Sequence, residues 1–312
     1  MTFLLDVGCS TDRGRKRPVN EDSYALWLPA EPGAQARWGA LFVVADGMGG
    51  HARGEVASRL AVETIREHYL HSAEPAPARR LAEALRVANA VIWQEAARTP
   101  QQAGMGTTVV CAVVAGRSLF ITNAGDSRAY LVRHGRPRQL TRDHSWVAEL
   151  LALKRLTPAE ARHHRMRNVI TRCLGGRPDL EVPSYPPEPL LPGDAVVLCT
   201  DGLWGTTDDG EIARLVSQHS AQVAADQLVA LANDRGGPDN ITVIVVRVES
   251  PRLGEYDEGT TLDLRLLDDD VTLTAETLQG VADDLRQLPH AEPQGHAVLR
   301  QVWPQPRPDR RG

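Results

Sequence analysis

The sequence predicts an α+β fold in which helices stack on the outside of antiparallel sheets. Short apolar or β-branched runs separated by tight turns indicate antiparallel strands, and amphipathic helices occur in pairs between groups of these strands. The chain has 312 residues, of which 42% are hydrophobic and 24% charged, as in a globular protein with a sizeable core. This length allows about two units of ~150 residues, or one larger domain with an appendage.

Six runs predict the strands: 41–45, 107–115, 118–124, 128–133, 195–200 and 241–248. Gly116-Arg117 and His134-Gly135 lie between consecutive runs, where two-residue hairpin turns are expected. We therefore expect residues 107–140 to form an antiparallel meander. The last two runs are almost continuously apolar, which suits burial between two layers.

Four segments have the apolar stripe of an amphipathic helix: 54–70, 78–97, 209–217 and 220–234. Residues 141–180 differ from them, because a short helix at 145–153 is followed by a capping box at Thr157 and Glu160. In this segment Lys and Arg outnumber Asp and Glu by 8 to 4. It is either a solvated helical excursion or a flap that presents positive charge to an anionic substrate.

The net charge of −5 resides in the last part of the chain. Residues 251–312 carry 7 basic and 12 acidic side chains, whereas residues 1–250 carry 28 of each. A body without a basic field lacks the electrostatic footprint of a nucleic-acid-binding protein, so neither DNA nor RNA is an expected partner. We interpret residues 251–312 as an acidic, largely flexible tail that serves as a spacer, a docking segment or an autoregulatory strand.

The cysteines and the N-terminus bear on the compartment. The four cysteines are far apart and lie mostly in apolar runs, which favours buried thiols in a reducing environment. The N-terminus has no basic region before its short apolar stretch, and no run reaches the ~20 apolar residues of a membrane span. We expect a cytoplasmic monomer without a membrane partner.

Five acidic motifs lie at strand ends or beside glycine: Asn20-Glu21-Asp22, Asp46-Gly47, Gly125-Asp126-Ser127-Arg128, Asp201-Gly202 and Asp239-Asn240. Each alone is typical of a turn. However, Asp46 and Asp201 end predicted buried strands and Asp239 precedes another, so neighbouring strands would bring three carboxylates to one sheet edge. Desolvated carboxylates repel one another, and a bound cation relieves that repulsion. Ligation by oxygen alone favours Mg²⁺ or Mn²⁺ over Zn²⁺.

Six motifs within residues 1–250 resemble those of one known family in their residues and in their order along the chain. They read TDRGRKRPVNED at 11–22, VVADGMGGHARGEVAS at 43–58, GMGTT at 104–108, GDSRAYL at 125–131, CTDGL at 199–203 and GGPDNITVIVV at 236–246. The sequence is similar to the metal-dependent protein phosphatase 2C (PPM) family, in particular to its bacterial serine/threonine phosphatase branch. The resemblance implies a four-layer α-β-β-α sandwich of two antiparallel sheets flanked by helix pairs. It also implies a phosphatase domain at 1–250, with 141–180 as its flap insertion.

The resemblance further implies which residues hold metal ions. Asp46 would bridge two ions, the Gly47 carbonyl would complete one site, and Asp201 and Asp239 would hold the other. Asp126, together with Asp201, would hold a third and weaker ion.

Three more residues acquire roles through the same resemblance. Glu21 and Asp22 would hold metal-bound waters in the outer shell. Arg17 would clamp the substrate phosphate, for which the planar fork of a guanidinium is better suited than a lysine ammonium. Catalysis would then depend on Arg17 and Asp46, without a protein nucleophile.

The implied reaction is the hydrolysis of phosphoserine or phosphothreonine in proteins by a water that bridges two Mn²⁺ or Mg²⁺ ions. Expected partners are phosphorylated proteins, among them a serine/threonine kinase or its substrates. The chain departs from the family at two positions. Met48 stands where animal members have a histidine proposed as general acid, and Gly205 stands where many members have an acidic residue.

Two other interpretations compete with this one. Gly47 to Ala52 also satisfies the G-x-G-x-x-A fingerprint of dinucleotide-binding proteins, but Asp46 would place a carboxylate beside the pyrophosphate. The stronger alternative is a pseudophosphatase that binds phosphoproteins as a signalling adaptor with little or no catalysis. The intact set of Asp46, Asp201, Asp239 and Arg17 argues against lost catalysis.

Overall fold

The computed structural model describes residues 3–29, 32–49, 53–98, 104–157, 160–161 and 164–249. The strands are β1 Leu4–Asp12, β2 Asp22–Trp27, β3 Ala40–Met48, β4 Gly106–Thr107, β5 Val109–Ala115, β6 Ser118–Ala124, β7 Arg128–Arg133, β8 Arg136–Gln139, β9 Glu188–Pro189, β10 Ala195–Cys199 and β11 Ile241–Glu249. The helices are α1 Pro32–Trp38, α2 Arg53–His71, α3 Pro77–Arg98, α4 Trp146–Ala152, α5 Asp201–Trp204, α6 Asp209–Gln218 and α7 Ala221–Asp234. The predicted tail at 251–312 lies outside the described residues.

The strands form two sheets in which every pair is antiparallel. One sheet has the order β1-β11-β10-β7-β8. The other has the order β2-β3-β5-β6-β9, with β4 paired to the end of β3. The chain therefore changes sheet between β1 and β2, between β6 and β7, between β8 and β9, and between β9 and β10.

Alternation along the strands divides the apolar side chains among three layers. In β3, Leu41, Val43 and Ala45 pack against α2 and α3, whereas Phe42 and Val44 face the other sheet. In β10, Val197 packs against α6 and α7, and Val196 and Leu198 fill the space between the sheets in the same way. The molecule is thus the predicted α-β-β-α sandwich, with α2 and α3 on one side and α6 and α7 on the other.

The predicted meander at 107–140 is wrong in its middle. The hairpins β5–β6 and β7–β8 form as expected, but β6 and β7 belong to different sheets. The chain crosses from one sheet to the other at Gly125–Ser127, where Gly125 has a φ of +108°. A left-handed backbone there lets the chain leave the first sheet instead of turning back beside β6.

The predicted capping box is present, since Thr157 and Glu160 exchange hydrogen bonds between side chain and backbone in both directions. Among the described residues, no helix has both the length and the apolar character that a membrane-spanning segment needs. The dinucleotide interpretation does not fit, because α2 leads into α3 and β3 has antiparallel neighbours.

Candidate metal centre

The predicted acidic residues meet at one edge of the sandwich. Asp22 and Asp46 are direct partners in the register of β2 and β3. Asp126 lies in the turn that connects β6 to β7, Asp201 follows β10 as the first residue of α5, and Asp239 lies just before β11. Because these strand ends belong to both sheets, the acids gather where the two sheets meet.

Asp22 connects the sheets by hydrogen bonds. Its Oδ2 accepts from Thr242 Oγ1 at 2.7 Å and from Thr200 Oγ1 at 3.0 Å, and both threonines belong to the opposite sheet. Thr242 also receives a hydrogen bond on its backbone oxygen from Thr200 N at 3.1 Å. The carboxylate therefore has a fixed orientation, and it is 9% exposed.

The backbone around Asp46 is held from three sides. Its carbonyl oxygen accepts from Thr108 N at 2.9 Å and from Thr107 Oγ1 at 2.8 Å, and Gly47 N donates to Glu21 O at 3.2 Å. A side chain at Gly47 would not fit, because its Cβ would lie 2.1 Å from the Gly54 oxygen. The absence of a side chain at Gly47 is thus what lets the start of α2 pack against this turn.

Asn240 holds the loop that carries Arg17. Its Nδ2 donates to the carbonyl oxygens of Arg13 and Val19 at 2.9 Å, and its Oδ1 accepts from Glu21 N at 2.8 Å. Arg17, 48% exposed, then reaches back to the cluster and donates from Nη2 to Asp239 Oδ2 at 2.7 Å. The structure thus brings Arg17 to the open side of the acidic cluster.

Burial raises the pKa of Asp22, Asp46, Asp126 and Asp201, and repulsion from neighbouring aspartates raises it further. Burial is the largest cause for each: it brings the pKa of Asp22 to about 7, that of Asp126 to about 8 and that of Asp201 to about 6. The pKa of Asp46 rises well above its ordinary value, first by burial and then by repulsion from Asp22 and Asp201. These groups are close enough to oppose one another's ionisation.

Two observations test whether a divalent cation fits here. The buried carboxylates of Asp46 and Asp201 repel each other when both are ionised, and a cation bound between them relieves that repulsion. Among the described residues, nothing donates a hydrogen bond to the buried Oδ1 atoms of Asp22 and Asp201. In the part of the chain that the structure describes, no group of three or more acidic, histidine or cysteine side chains has the spacing that would hold a metal ion. The donor set, all oxygen, suits Mn²⁺ or Mg²⁺.

Met48 brings no ionisable group to this edge. It lines an apolar cavity of about 360 Å³ with Trp93, Met105 and Cys173, next to the turn at Gly47. His51, three residues after the end of β3 at Met48, lies outside the described residues.

The sequence motifs did not identify several residues that hold the acids in place. Thr200 and Asn240 are adjacent to the predicted ligands Asp201 and Asp239, Thr242 is three residues after Asp239, and each supplies a buried polar side chain. A signal for them existed, since a polar residue at the end of an otherwise apolar strand needs a partner when it is buried. Their partners lie about 200 residues away in sequence, so periodicity alone does not reveal them.

Residues 13–238 match the family model described as protein phosphatase 2C, which is more than half of the chain. The chain belongs to the protein phosphatase 2C family. Curated relatives agree: the serine/threonine protein phosphatase PstP of Mycobacterium tuberculosis is 35% identical over 97% of this chain. The serine/threonine phosphatase stp of Listeria innocua is 35% identical over 76% of this chain and 93% of its own length.

Solved protein phosphatase 2C structures have the same fold. The crystal structure of Mycobacterium tuberculosis PstP covers 79% of this chain at 35% identity, with a TM-score of 0.70. A second structure, the catalytic domain of PstP in complex with 2 manganese ions, covers 80% with a TM-score of 0.69. The chain spans 57% of the full length of the curated Mycobacterium tuberculosis relatives.

Proposed function

We propose that this protein is a metal-dependent protein serine/threonine phosphatase that acts on phosphorylated proteins. The observation that carries the proposal is the gathering of acidic side chains from both sheets at one edge, with oxygens that nothing among the described residues saturates. Membership of the protein phosphatase 2C family supports it. No observation favours a protein that binds phosphoproteins without hydrolysing them.

Asp46, the Gly47 carbonyl, Asp201 and Asp239 are the proposed ligands of two Mn²⁺ or Mg²⁺ ions. Asp126 is the proposed ligand, with Asp201, of a third and weaker ion. When bound, the ions supply Lewis-acid activation of water and neutralise charge that develops on the phosphoryl oxygens.

The outer acids and Arg17 complete the proposed site. Asp22, fixed by two threonines, keeps one oxygen directed to the cluster, and Glu21 lies against Gly54 at the start of α2. Arg17 binds the phosphate oxygens through its guanidinium. This group has five N–H donors, and its hydrogen bond to Asp239 leaves others to donate to phosphate.

The phosphatase domain is proposed to be residues 1–250, with 141–180 as a flap beside the site. The segment begins directly at the acidic edge, where His144 N donates to Gly125 O at 2.9 Å. Its excess of basic residues would attract an anionic phosphoprotein. The proposed phosphoproteins include a serine/threonine kinase or its substrates.

Hydrolysis of p-nitrophenyl phosphate and of a phosphothreonine peptide tests the proposal. We expect activity with Mn²⁺, no activity with EDTA, and at least a hundredfold loss in Asp239→Asn, because replacing an anionic ligand weakens cation binding. Asp234→Asn serves as control, since Asp234 is exposed at the end of α7. A folded wild-type protein that binds phosphopeptide but never hydrolyses it contradicts the proposal and indicates the binding-only alternative.

A further inference from the structure

Arg128 is a buried arginine next to the proposed metal centre that the reaction itself does not use. It begins β7, two residues after Asp126, and its side chain is 18% exposed. Its Nε and Nη2 both donate to the carboxylate of Asp143, the shortest contact being 2.7 Å, and its Nη1 donates to the Tyr130 hydroxyl at 2.9 Å. All three nitrogens of the guanidinium thus donate to one of two side chains, Asp143 or Tyr130.

The face of the same guanidinium is engaged as well. The carbon of the guanidinium lies 3.7 Å from the ring centroid of Trp204, a short cation–π distance. Trp204 Nε1 donates to the carbonyl oxygen of Asp126 at 3.0 Å. Because Trp204 is the last residue of α5 and Asp201 is the first, one indole connects the segments that carry two proposed metal ligands.

Asp143 is the third component of this network. It also accepts from Gln139 Nε2 at 2.8 Å, and the next residue, His144, binds both sides of Gly125. His144 donates its backbone N–H to Gly125 O and accepts from Gly125 N on its ring Nδ1. The turn that positions Asp126 is therefore held by Arg128 on one side and by the residues after Asp143 on the other.

Charge alone does not explain this arrangement. Burial raises the pKa of Asp126 and of Asp201, and the guanidinium of Arg128 opposes that rise. However, the bidentate contact with Asp143 balances the charge of Arg128, so the pair as a whole adds little net charge to the cluster. What the pair contributes is a rigid planar group that fixes Trp204.

From these contacts we propose that Arg128 is a positioning residue for the metal centre. Its guanidinium, clamped by Asp143 and stacked on Trp204, sets the relative placement of Asp126 and Asp201. The inference rests on the proposed function, because it assumes that these two aspartates bind a cation.

Arg133 provides a matched control within the same strand. It lies at the other end of β7 and forms a similar fork, donating from Nε to Asp194 Oδ1 at 2.8 Å and from Nη2 to Asp194 Oδ2 at 2.7 Å. No described contact connects Arg133 to Trp204 or to the acidic cluster. Arg128→Lys and Arg133→Lys thus break equivalent ion pairs while keeping the charge.

The experiment is isothermal titration of Mn²⁺ into the full chain after removal of metal with EDTA, for the wild type and both variants. We expect Arg128→Lys to raise the dissociation constant of the weakest Mn²⁺ at least tenfold, and Arg133→Lys to change it less than twofold. The Mn²⁺ concentration for half-maximal hydrolysis of p-nitrophenyl phosphate should move in parallel. The thermal midpoints of the two metal-free variants should fall by similar amounts.

Wild-type affinity in Arg128→Lys overturns the inference, as does an equal loss in Arg133→Lys. If Arg128→Lys does not fold, Trp204→Phe decides, because phenylalanine keeps a ring under the guanidinium but removes the donor to Asp126 O. At least a threefold weaker Mn²⁺ binding is expected there, and unchanged binding overturns the inference. A wild type that neither binds Mn²⁺ nor hydrolyses phosphopeptide refutes the proposed function instead.

Discussion

Single residues at the acidic edge have roles that depend on burial more than on residue type. Asp22 and Asp234 are both aspartates, yet one is enclosed between two sheets and the other is exposed on a helix. Asp22 accepts hydrogen bonds from two hydroxyl groups, and burial raises its pKa. Desolvation is therefore what makes a carboxylate in this fold chemically distinct.

His144 gives a pH-dependent prediction at the residue scale. Burial, followed by the charges of Arg172 and Arg142, lowers the pKa of His144 from 6.5 to about 4. Between pH 6.5 and pH 4, His144 is therefore protonated in the unfolded chain but neutral in the folded protein. The stability that neutral His144 contributes is present above pH 6.5 and is lost as the pH falls towards 4.

In His144→Gln, the side-chain oxygen can still accept from Gly125 N. We expect the free energy of unfolding of this variant to fall less than that of the wild type when the pH is lowered from 7 to 4.5. Urea unfolding in EDTA at both pH values measures this difference. His71→Gln at an exposed site should behave as the wild type. Equal pH dependence in His144→Gln and wild type would contradict the pKa assignment.

At the scale of elements, each of the six predicted runs coincides with an observed strand, whereas β1 and β2 were not predicted. The acidic residues of the motifs stay proposed ligands. Asp46, Asp201 and Asp239 follow from strand-end position together with family order, because strand ends are local features of the sequence. The crossing from β6 to β7 could not be predicted from the sequence, because a short turn with glycine is as compatible with a hairpin as with a change of sheet. Thr200 and Thr242 bind Asp22 from 178 and 220 residues away, which only the tertiary structure reveals.

The contact between α5 and the segment before β11 makes a prediction about an element. A Cβ at Gly202 in α5 would lie 2.0 Å from the Asn240 oxygen, whereas a Cβ at Gly210 in α6 would meet nothing within 4 Å. We expect Gly202→Ala to push α5 away from Asn240. The thermal midpoint should then fall, and the rate of p-nitrophenyl phosphate hydrolysis should drop at least tenfold. Gly210→Ala should stabilise the protein by about 0.5–1 kcal/mol without loss of activity.

Thermal unfolding and steady-state hydrolysis of the two variants measure both effects. Because both substitutions add one methyl group to a helical glycine, helix propensity favours each of them equally. Wild-type activity in Gly202→Ala would mean that the close approach is not needed for the site.

For the whole molecule, the proposed metal centre lowers the stability of the metal-free protein in exchange for affinity for a cation. Carboxyl groups that are buried close together destabilise the metal-free protein at neutral pH, because each is harder to ionise there than in the unfolded chain. A bound ion reverses this penalty and stabilises the folded state by mass action. Stability and metal content should therefore be coupled in this protein.

Asp46→Asn tests that coupling. In EDTA we expect its thermal midpoint to exceed that of the wild type by about 2–4 °C, which for a domain of this size corresponds to ~1 kcal/mol. The increase that Mn²⁺ produces in the wild type should largely disappear. Asp194→Asn, which breaks a buried ion pair with Arg133, should lower the midpoint in EDTA and keep the Mn²⁺ increase. A full Mn²⁺ increase in Asp46→Asn would contradict its role as ligand.

The crossing of the chain between the sheets leaves the two ends of the sandwich unequal. Asp46, Gly125, Asp201 and the start of β11 lie at one end, whereas the β5–β6 and β7–β8 turns lie at the other. Gly116 and Gly135 in those turns face open space, and their φ values of +59° and +72° favour keeping glycine there. A fluorescent label or a fused domain attached beside these glycines would report on the protein from the far side, without crowding the acidic edge.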